Sequence, residues 1–371
     1  MDGSITPLLM PKWGIDMAEG RVAQWLVAEG AEVQPGAELV EVESEKTTGP
    51  VEATVPGVLR RRLAREGEVV PVGALLGVLA SASVPEAEIE AFVAGFRAPE
   101  HRTADAAAVD QTVEVLGHEL RLLSLGAGEP PILLLHGFGG DLRGWGPVQA
   151  ALARGRRVIS VDLPAHGGST TALASAEPRF FEDLVLGLLE ALAVPRVHLV
   201  GHSWGGVIAW GVAGRAPERV ASLTLIGTAG PAAPVDAEYL RAFLDANRRA
   251  DLKAVLQRLF ADPALVTREL IEQTLRYKRI EAVDAALRRI AAAAAAVGST
   301  AGLPPVPVQI IAGSEDRICP LGAGFTPPAS AALHRLPGVG HMPQLEAPAV
   351  VTALIEAFVA GKPQVPRPAA S

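Results

Sequence analysis

Two textures divide the chain. Over the first eighty residues the apolar runs are short and are broken repeatedly by glycine and proline: 20–27, 38–43, 57–63 and 74–79. That spacing predicts a small all-β domain of short strands. From about residue 111 the blocks lengthen, and apolar, often β-branched runs alternate with stretches of helical period. Residues 131–135, 158–162, 196–200, 220–226, 306–311 and 331–336 read as strands. Residues 179–192, 206–213 and 350–359 read as helices, and the stretch from Pro234 to about Gly298 reads as helical. This alternation predicts an α/β fold with a mostly parallel sheet. Between the two lies a segment rich in Ala, Glu and Pro, 81–110. Its centre, 86–97, is predicted to be one amphipathic helix, with Ile89, Phe92, Val93 and Phe96 at i, i+3, i+4 and i+7. The predicted organisation is therefore multidomain: a β domain over 1–80, a linker over 81–110, an α/β domain over 111–362 and a Pro-rich tail over 363–371.

The first domain contains a quasi-repeat. Glu29-Gly30 followed by Val33-x-Pro35-Gly36-Ala37-x-Leu39-x-x-Val42 is echoed by Glu66-Gly67 followed by Val69-x-Pro71-x-Gly73-Ala74-x-Leu76-x-x-Leu79. Two similar halves imply a pseudo-twofold sandwich. Between them, Val42-Glu43-Ser44-Glu45-Lys46-Thr47-Thr48 is polar. A polar run between two strands predicts a hairpin turn with an exposed tip.

In the second domain the run Gly201-His202-Ser203-Trp204-Gly205 stands between a strand pattern and a helix pattern. G-x-S-x-G in that setting is a nucleophile elbow. Its glycines allow the tight turn, because a Cβ there would collide with neighbouring backbone. Ser203 is thereby a candidate nucleophile, and a serine hydroxyl needs a base near neutral pH.

Composition narrows the classes. Of 371 residues, 49% are hydrophobic, enough for a sizeable core. The net charge of −8 argues against a nucleic-acid or anionic-membrane surface. A single cysteine, Cys319, cannot form an internal disulfide, which fits a reducing cytoplasm. The N-terminus lacks a basic region followed by an apolar run, so no signal peptide is expected. No apolar stretch is long enough for a bilayer, and the alanines of 291–296 read as helix. No metal site is expected.

Recognisable families account for both textures. Met10-Pro11-Lys12-Trp13-Gly14, Met17-x-Glu19-Gly20 and Glu43-Ser44-Glu45-Lys46-Thr47 resemble the opening strand and the lipoylation hairpin of lipoyl domains from 2-oxoacid and acetoin dehydrogenase complexes. That resemblance implies lipoate in amide linkage to Lys46. The related biotinyl domains flank their lysine with methionines, so Glu45 and Thr47 favour lipoate. Glu41, Glu43 and Glu45 read either as a solvated turn or as a surface for the lipoylating enzyme and a decarboxylating partner. Similar acyltransferases often carry a small partner-binding domain after the linker. The residues of 81–110 are too few for one with two linkers. Partner binding then lies elsewhere or on the short helix, unless that helix simply docks on one of the domains.

Residues 111–362 resemble the α/β-hydrolase family. The matching motifs are the His136-Gly137 turn, the Asp162-Leu163-Pro164-x-His166-Gly167 loop, the elbow and the closing Gly340-His341. The resemblance implies a helical cap at about 231–300 and the chain order Ser, acid, His. It assigns Asp316, in Gly313-Ser314-Glu315-Asp316, as the acid, with Glu315 the fallback, and His341 as the base. His334, the other histidine after the elbow, falls inside a strand pattern. The backbone N–H groups of Phe138 and Trp204 are the expected oxyanion donors, and their side chains the expected apolar walls. His136 and His202 are expected to be structural neighbours of the site, His166 a turn cap and Cys319 a buried packing thiol. Asp162 is a weaker rival for the acid.

The two parts together resemble the acyltransferase component of acetoin dehydrogenase complexes. This implies transfer of an acetyl group from the lipoyl arm to coenzyme A. It also implies a thiamine-diphosphate-dependent acetoin dehydrogenase upstream and a flavin dihydrolipoamide dehydrogenase downstream. One departure stands out: the His-x-x-x-Asp-Gly motif of ordinary lipoyl acyltransferases is absent. Nor does the sequence show a phosphate-binding Gly loop or a basic cluster for coenzyme A. Two alternatives stay open: a thioesterase or esterase that releases free acid, and a lipoyl carrier with a silent hydrolase domain.

Overall fold

The computed structural model describes residues 5–11, 17, 19–44, 48–96, 108–228, 235–297, 303–322, 325, 327 and 330–361. The chain divides into two compact units, Met1–Thr103 and Ala104–Ser371.

The first unit contains strands β1 (Thr6–Leu9), β2 (Glu19–Trp25), β3 (Glu32–Val33), β4 (Glu38–Glu43), β5 (Thr48–Glu52), β6 (Gly57–Arg62), β7 (Val69–Pro71) and β8 (Leu75–Ala80). They form two antiparallel four-stranded sheets, in the orders β1-β8-β6-β3 and β5-β4-β2-β7. Advancing every strand by four places, with β8 returning to β4 and β6 to β2, turns one order into the other. This is the pseudo-twofold that the quasi-repeat implies. The matched glycines show how the halves interlock. Gly30 and Gly67 both adopt positive φ, 86° and 82°. The N–H of Gly30 donates to Leu59 O in the second half at 2.8 Å, and that of Gly67 to Val22 O in the first at 2.7 Å. The repeat's apolar positions Leu39, Val42, Leu76 and Leu79 lie in one shared core.

Helix α1 (Glu86–Gly95) belongs to this unit. Ile89 is fully buried against Val78, Ala80 and Val84. The Arg60 guanidinium donates to the carbonyls of Ser81 and Val84 at 2.9 and 3.0 Å and pairs with Glu86 at 3.1 Å. The apolar stripe read from the sequence is therefore spent on docking the helix against its own sandwich. Lys12, Trp13 and Gly14 lie outside the described residues, as do Glu45, Lys46 and Thr47. The strands on either side of Lys46, β4 and β5, pair with Glu43 opposite Thr48.

The second unit is built on an eight-stranded sheet. Its strands are β9 (Val109–Val115), β10 (His118–Leu125), β11 (Ile132–Leu135), β12 (Val158–Val161), β13 (Val197–His202), β14 (Val220–Ile226), β15 (Val308–Gly313) and β16 (Ala331–Leu336). The order is β16-β15-β14-β13-β11-β12-β10-β9. Strands β11 to β16 pair in parallel, and only the β9–β10 hairpin adds antiparallel edges. The helices are α2 (Gly146–Leu152), α3 (Pro178–Ala191), α4 (Trp204–Arg215), α5 (Ala237–Asp245), α6 (Arg249–Gln257), α7 (Arg268–Lys278), α8 (Glu281–Ala296), α9 (Pro343–Glu346) and α10 (Pro348–Val359).

Both faces of the sheet are covered, which explains why its strands read as continuous apolar runs. Side chains alternate across it. Leu133 and Leu135 pack with Phe181 of α3 and Ile208 of α4. Ile132 and Leu134 pack on the other side with Val148 of α2 and Ile355 of α10. Helices α5 to α8 form one insertion between β14 and β15 and join the first of these cores. Among the described residues no helix is long and apolar enough to cross a membrane.

Truncating Ile89 to Ala is expected to cost the N-terminal unit about 2–5 kcal/mol, the usual range for a fully buried isoleucine. Urea unfolding of the intact chain should show that unit's transition moving to lower denaturant. An unmoved transition would mean that α1 is peripheral to the sandwich.

Candidate active site

Parallel strands bring their carboxyl ends, and the loops that follow them, to one edge of the sheet. Four such loops build this site. The first is the elbow itself: β13 ends at His202, α4 begins at Trp204, and Ser203 turns the chain between them. Its backbone sits at φ 50°, ψ −115°. A side chain in such a conformation costs on the order of 1–3 kcal/mol and persists only where its surroundings enforce it. Here they do. A Cβ on Gly205 would stand 2.6 Å from His136 O, and one on Gly201 would stand 2.6 Å from the Gly206 Cα. The Ser203 N–H is fastened to Ile226 O at 2.9 Å.

The second and third loops follow β15 and β16. His341 Nδ1 lies 2.9 Å from Asp316 Oδ2, and both side chains are almost wholly buried. The other oxygen, Oδ1, accepts the N–H groups of Ile318 and Cys319 at 2.8 and 2.9 Å. Burial pushes the Asp316 carboxyl up. The His341 charge, its hydrogen bond and the two backbone donors outweigh this and hold the carboxyl below its ordinary value. Asp316 thus stays ionised, the form that accepts the Nδ1 proton and leaves Nε2 free as a base. Glu315, the fallback, is exposed. Asp162, the rival, is engaged elsewhere, accepting the N–H groups of Leu142 and Gly168.

The His341 backbone is held from three directions. Its N–H donates to Leu259 O at 2.7 Å, and its carbonyl lies 2.8 Å from His202 Nε2. Glu346 accepts the N–H groups of Gly340, Met342 and Ala261 at 2.9, 3.2 and 2.8 Å. Glu346 gave no signal in the sequence, because its role lies in backbone donors that only folding gathers.

The fourth loop follows β11. Gly137 passes so close to Ser203 that a Cβ on it would stand 3.0 Å from the serine Cβ. Among the described residues neither the Phe138 N–H nor the Trp204 N–H donates to any group. The side chains divide. Phe138 lines the cavity and meets Phe243 edge-on. Trp204 does not form a wall: its ring turns into the core, edge-on to Phe181, because the first helical residue after the elbow faces α3.

Two further histidines, His136 and His166, brace backbone. His136 Nε2 accepts the Leu163 N–H at 3.0 Å, and His166 Nε2 accepts the Gly139 N–H at 3.1 Å. Cys319 is buried, and burial with the Asp316 and Asp236 carboxylates pushes its thiol well up, opposed by a hydrogen bond from the Ser203 hydroxyl. No hydrogen bond joins Ser203 Oγ to His341 in this state. Such contacts often tighten only when substrate is bound.

Ser203 and His341 open into a cavity of about 640 Å³. Its far walls come from α5, α6 and α7, including Phe243, Leu256 and Tyr277. Lys278, at the end of α7, is buried. It donates to the carbonyls of Phe243, Leu244 and Ala246 at the end of α5 and lies 4.7 Å from the Phe243 ring. Burial lowers its pKa to about 8.

Comparison with known proteins places both units. Residues 130–348 match the family model described as the alpha/beta hydrolase fold, and residues 6–79 match the one described as biotin-requiring enzyme. The dihydrolipoyllysine-residue acetyltransferase component of the acetoin cleaving system from Pseudomonas putida is 43% identical, over 96% of this chain and 98% of its own. The protein of the same description from Cupriavidus necator is 36% identical over the same shares. A solved meta-cleavage product hydrolase, 25% identical, superposes with a TM-score of 0.60 over 67% of this chain and 98% of its own.

Three buried histidines couple this unit's stability to pH. Burial first, and then the neighbouring His136 for His166, His341 for His202 and Arg156 for His198, lowers their pKa values to about 3, 3 and 4. Unfolded histidine titrates near ~6.5. Below that pH the unfolded chain binds protons that the folded chain refuses. Stability is therefore full above pH ~6.5 and falls as pH drops towards 4. Melting temperature measured across this window should fall, and His198→Asn should flatten the slope. An equal slope in that variant would show that His198 is not among the coupled groups.

Proposed function

The chain belongs to the family of dihydrolipoyllysine-residue acetyltransferase components of acetoin cleaving systems, and on that premise we propose that it moves an acyl group from its own lipoyl arm to coenzyme A through Ser203. The observation that carries the reading is the buried Asp316–His341 hydrogen bond, beside the cavity that Ser203 also lines. Lys46 holds the lipoate. The ends of β4 and β5 fit that role, since Glu43 and Thr48, on either side of Lys46 in the sequence, are paired and exposed. Bound there, the group supplies the acyl unit as a thioester.

Ser203 Oγ attacks the thioester carbonyl carbon while His341 Nε2 takes the hydroxyl proton. Asp316 holds the imidazole in the right tautomer and stabilises its cation. The carbonyl oxygen, now anionic, is met by the backbone N–H groups of Phe138 and Trp204, each worth on the order of 3 kcal/mol in the transition state. The C–S bond breaks, and His341 returns the proton to the leaving thiolate. The thiol of coenzyme A then gives its proton to His341 and attacks the acyl-Ser203. Ser203 Oγ leaves and regains its proton, giving acyl-CoA. The acyl group is acetyl on this reading, as the relatives' names indicate.

The relatives are named as components of an acetoin cleaving system. The partners proposed here are a thiamine-diphosphate-dependent acetoin dehydrogenase, which loads the arm, and a flavin dihydrolipoamide dehydrogenase, which reoxidises it. A lipoylating enzyme must act first on Lys46.

The test supplies the purified protein with S-acetyl-dihydrolipoamide, with and without coenzyme A, and quantifies acetyl-CoA and acetate. Acetyl-CoA that requires both coenzyme A and Ser203 is the expected result. Asp316→Asn should lower the rate on the order of 10⁴-fold. Acetate formed at one rate regardless of coenzyme A would make the protein a thioesterase. No product dependent on Ser203 would leave a lipoyl carrier.

A further inference from the structure

Three arginines line the catalytic cavity: Arg121, Arg143 and Arg276. Two are already committed. Arg121 makes a two-pronged contact with Asp110, at 3.0 and 2.6 Å, and Arg143 is paired with Asp141. Among the described residues Arg276 has no carboxylate within ion-pair distance. It lies in the last turn of α7, and Arg279, which caps that helix, is equally unpaired among the described residues. Both are exposed. Arg276 also lines a second, open groove together with Arg249, Glu272 and Arg279. Arg249 and Arg268 share Glu272, at 2.6 and 2.8 Å, so the one carboxylate of the groove is already doubly paired.

The groove is therefore net positive, and Arg276 lines both it and the catalytic cavity. The setting is unusual for the chain. Its net charge is −8, yet between Ala237 and Ala296 eleven Lys and Arg face eight Asp and Glu. A cation in the last turn gains from the helix dipole. That accounts for a basic residue there, but not for three arginines converging on one groove that shares Arg276 with the catalytic cavity. Lys278, between Arg276 and Arg279 in sequence, is turned inward onto the end of α5 and takes no part.

We propose that Arg249, Arg276 and Arg279 bind the phosphates of the acceptor thiol, the phosphorylated adenosine end of coenzyme A, so that its pantetheine arm runs past Arg276 to Ser203. This rests on the transferase reading above. Guanidinium groups meet phosphate in pairs of parallel hydrogen bonds, which suits an arginine cluster to this ligand better than lysines would. The acyl donor has no phosphate, so the cluster serves the second half of the reaction alone. The basic cluster that sequence inspection did not find is assembled from residues on α6 and α7 separated by a helix and a turn.

The experiment measures steady-state transfer from free S-acetyl-dihydrolipoamide to coenzyme A, to dephospho-coenzyme A and to pantetheine. It compares wild type with Arg276→Ala, Arg279→Ala and Arg276→Lys. Each alanine substitution should raise KM for coenzyme A about tenfold, the loss expected of a hydrogen bond to a charged group. In Arg279→Ala, whose residue lies outside the catalytic cavity, the KM for pantetheine and for the donor should stay unchanged, as should kcat. Dephospho-coenzyme A should show a smaller effect, adenosine 3′,5′-bisphosphate should compete with coenzyme A, and Arg276→Lys should restore part of the loss. Unchanged KM for coenzyme A in both alanine variants, with wild-type transfer intact, would overturn the phosphate site and leave the transferase standing. A raised KM for the donor instead would assign the cluster to the lipoyl arm and overturn the proposal. Acetate from wild type at the same rate with or without coenzyme A would remove the transferase reading and the acceptor site together.

Discussion

Everything at this site hangs on one turn of backbone. Ser203 is held in a conformation that a serine avoids, and the hold is steric. Gly201 and Gly205 bring the strand, the helix and the loop after β11 closer together than any side chain would permit. That closeness places the Gly137 turn against Ser203 and leaves the Phe138 and Trp204 N–H groups with no partner among the described residues. Unpaired donors are costly inside a protein unless something is due to occupy them. An oxyanion that forms only during reaction is such an occupant. The strain at Ser203 and the idle donors are two sides of one arrangement, since relaxing the turn would also close the space between them.

The base is secured by a different principle. His341 follows an edge strand, where a loop would ordinarily be loose, and it is tied by its backbone rather than by its ring. Leu259, at the end of α6, takes its N–H, His202 holds its carbonyl, and Glu346 gathers the N–H groups on both sides. The ring makes one hydrogen bond, to Asp316, and lies against the His202 ring at 4.8 Å between centroids, while His341 also lines the cavity. Because Leu259 and Ala261 belong to the helical insertion, the insertion does more than cover the site. It sets the position of the base, and changes in the cap are transmitted to His341 through two hydrogen bonds.

Much of this was legible in the sequence, for identifiable reasons. Strands β11 to β15 announced themselves because they are buried on both faces and so are mostly apolar along their length. The pseudo-twofold sandwich was legible because its halves repeat the same glycines and leucines, Gly30 with Gly67 and Leu39 with Leu76. Ser203, Asp316 and His341 were candidates by motif and chain order, signals that need no geometry; the structure pairs Asp316 with His341 and lets Ser203 and His341 line one cavity. The hairpin β9–β10 was not read, since β9 alternates exposed and half-buried residues along a solvated edge and carries no strong apolar run. The inward turn of Trp204 was hidden as well: a residue's backbone and its ring can serve opposite sides of a helix, and sequence does not say which way the ring goes. The arginine groove was invisible for a third reason. Arg249 and Arg276 are far apart in the chain and face each other only after α6 packs on α7.

The volume of the cavity argues for a covalent relay over direct transfer. Direct passage from one thiol to another requires both arms at the carbonyl together. Each arm is a linear chain that must reach the same atom. The cavity, at about 640 Å³, falls within the range that holds one ligand of ordinary size, roughly 300–1,000 Å³. An acyl group parked on Ser203 lets the donor withdraw before the acceptor enters, so one passage suffices for both. It also puts a demand on the cap, because an acyl-serine waiting beside an ionised Asp316–His341 pair is open to any water that arrives. Phe138, Phe243 and Leu256 supply the apolar lining that this demand requires, and Lys278 ties the end of α7 to the end of α5 beside Phe243. Hydrolase and transferase differ, on this view, in the cavity wall and its charged mouth rather than in the serine, the acid or the base.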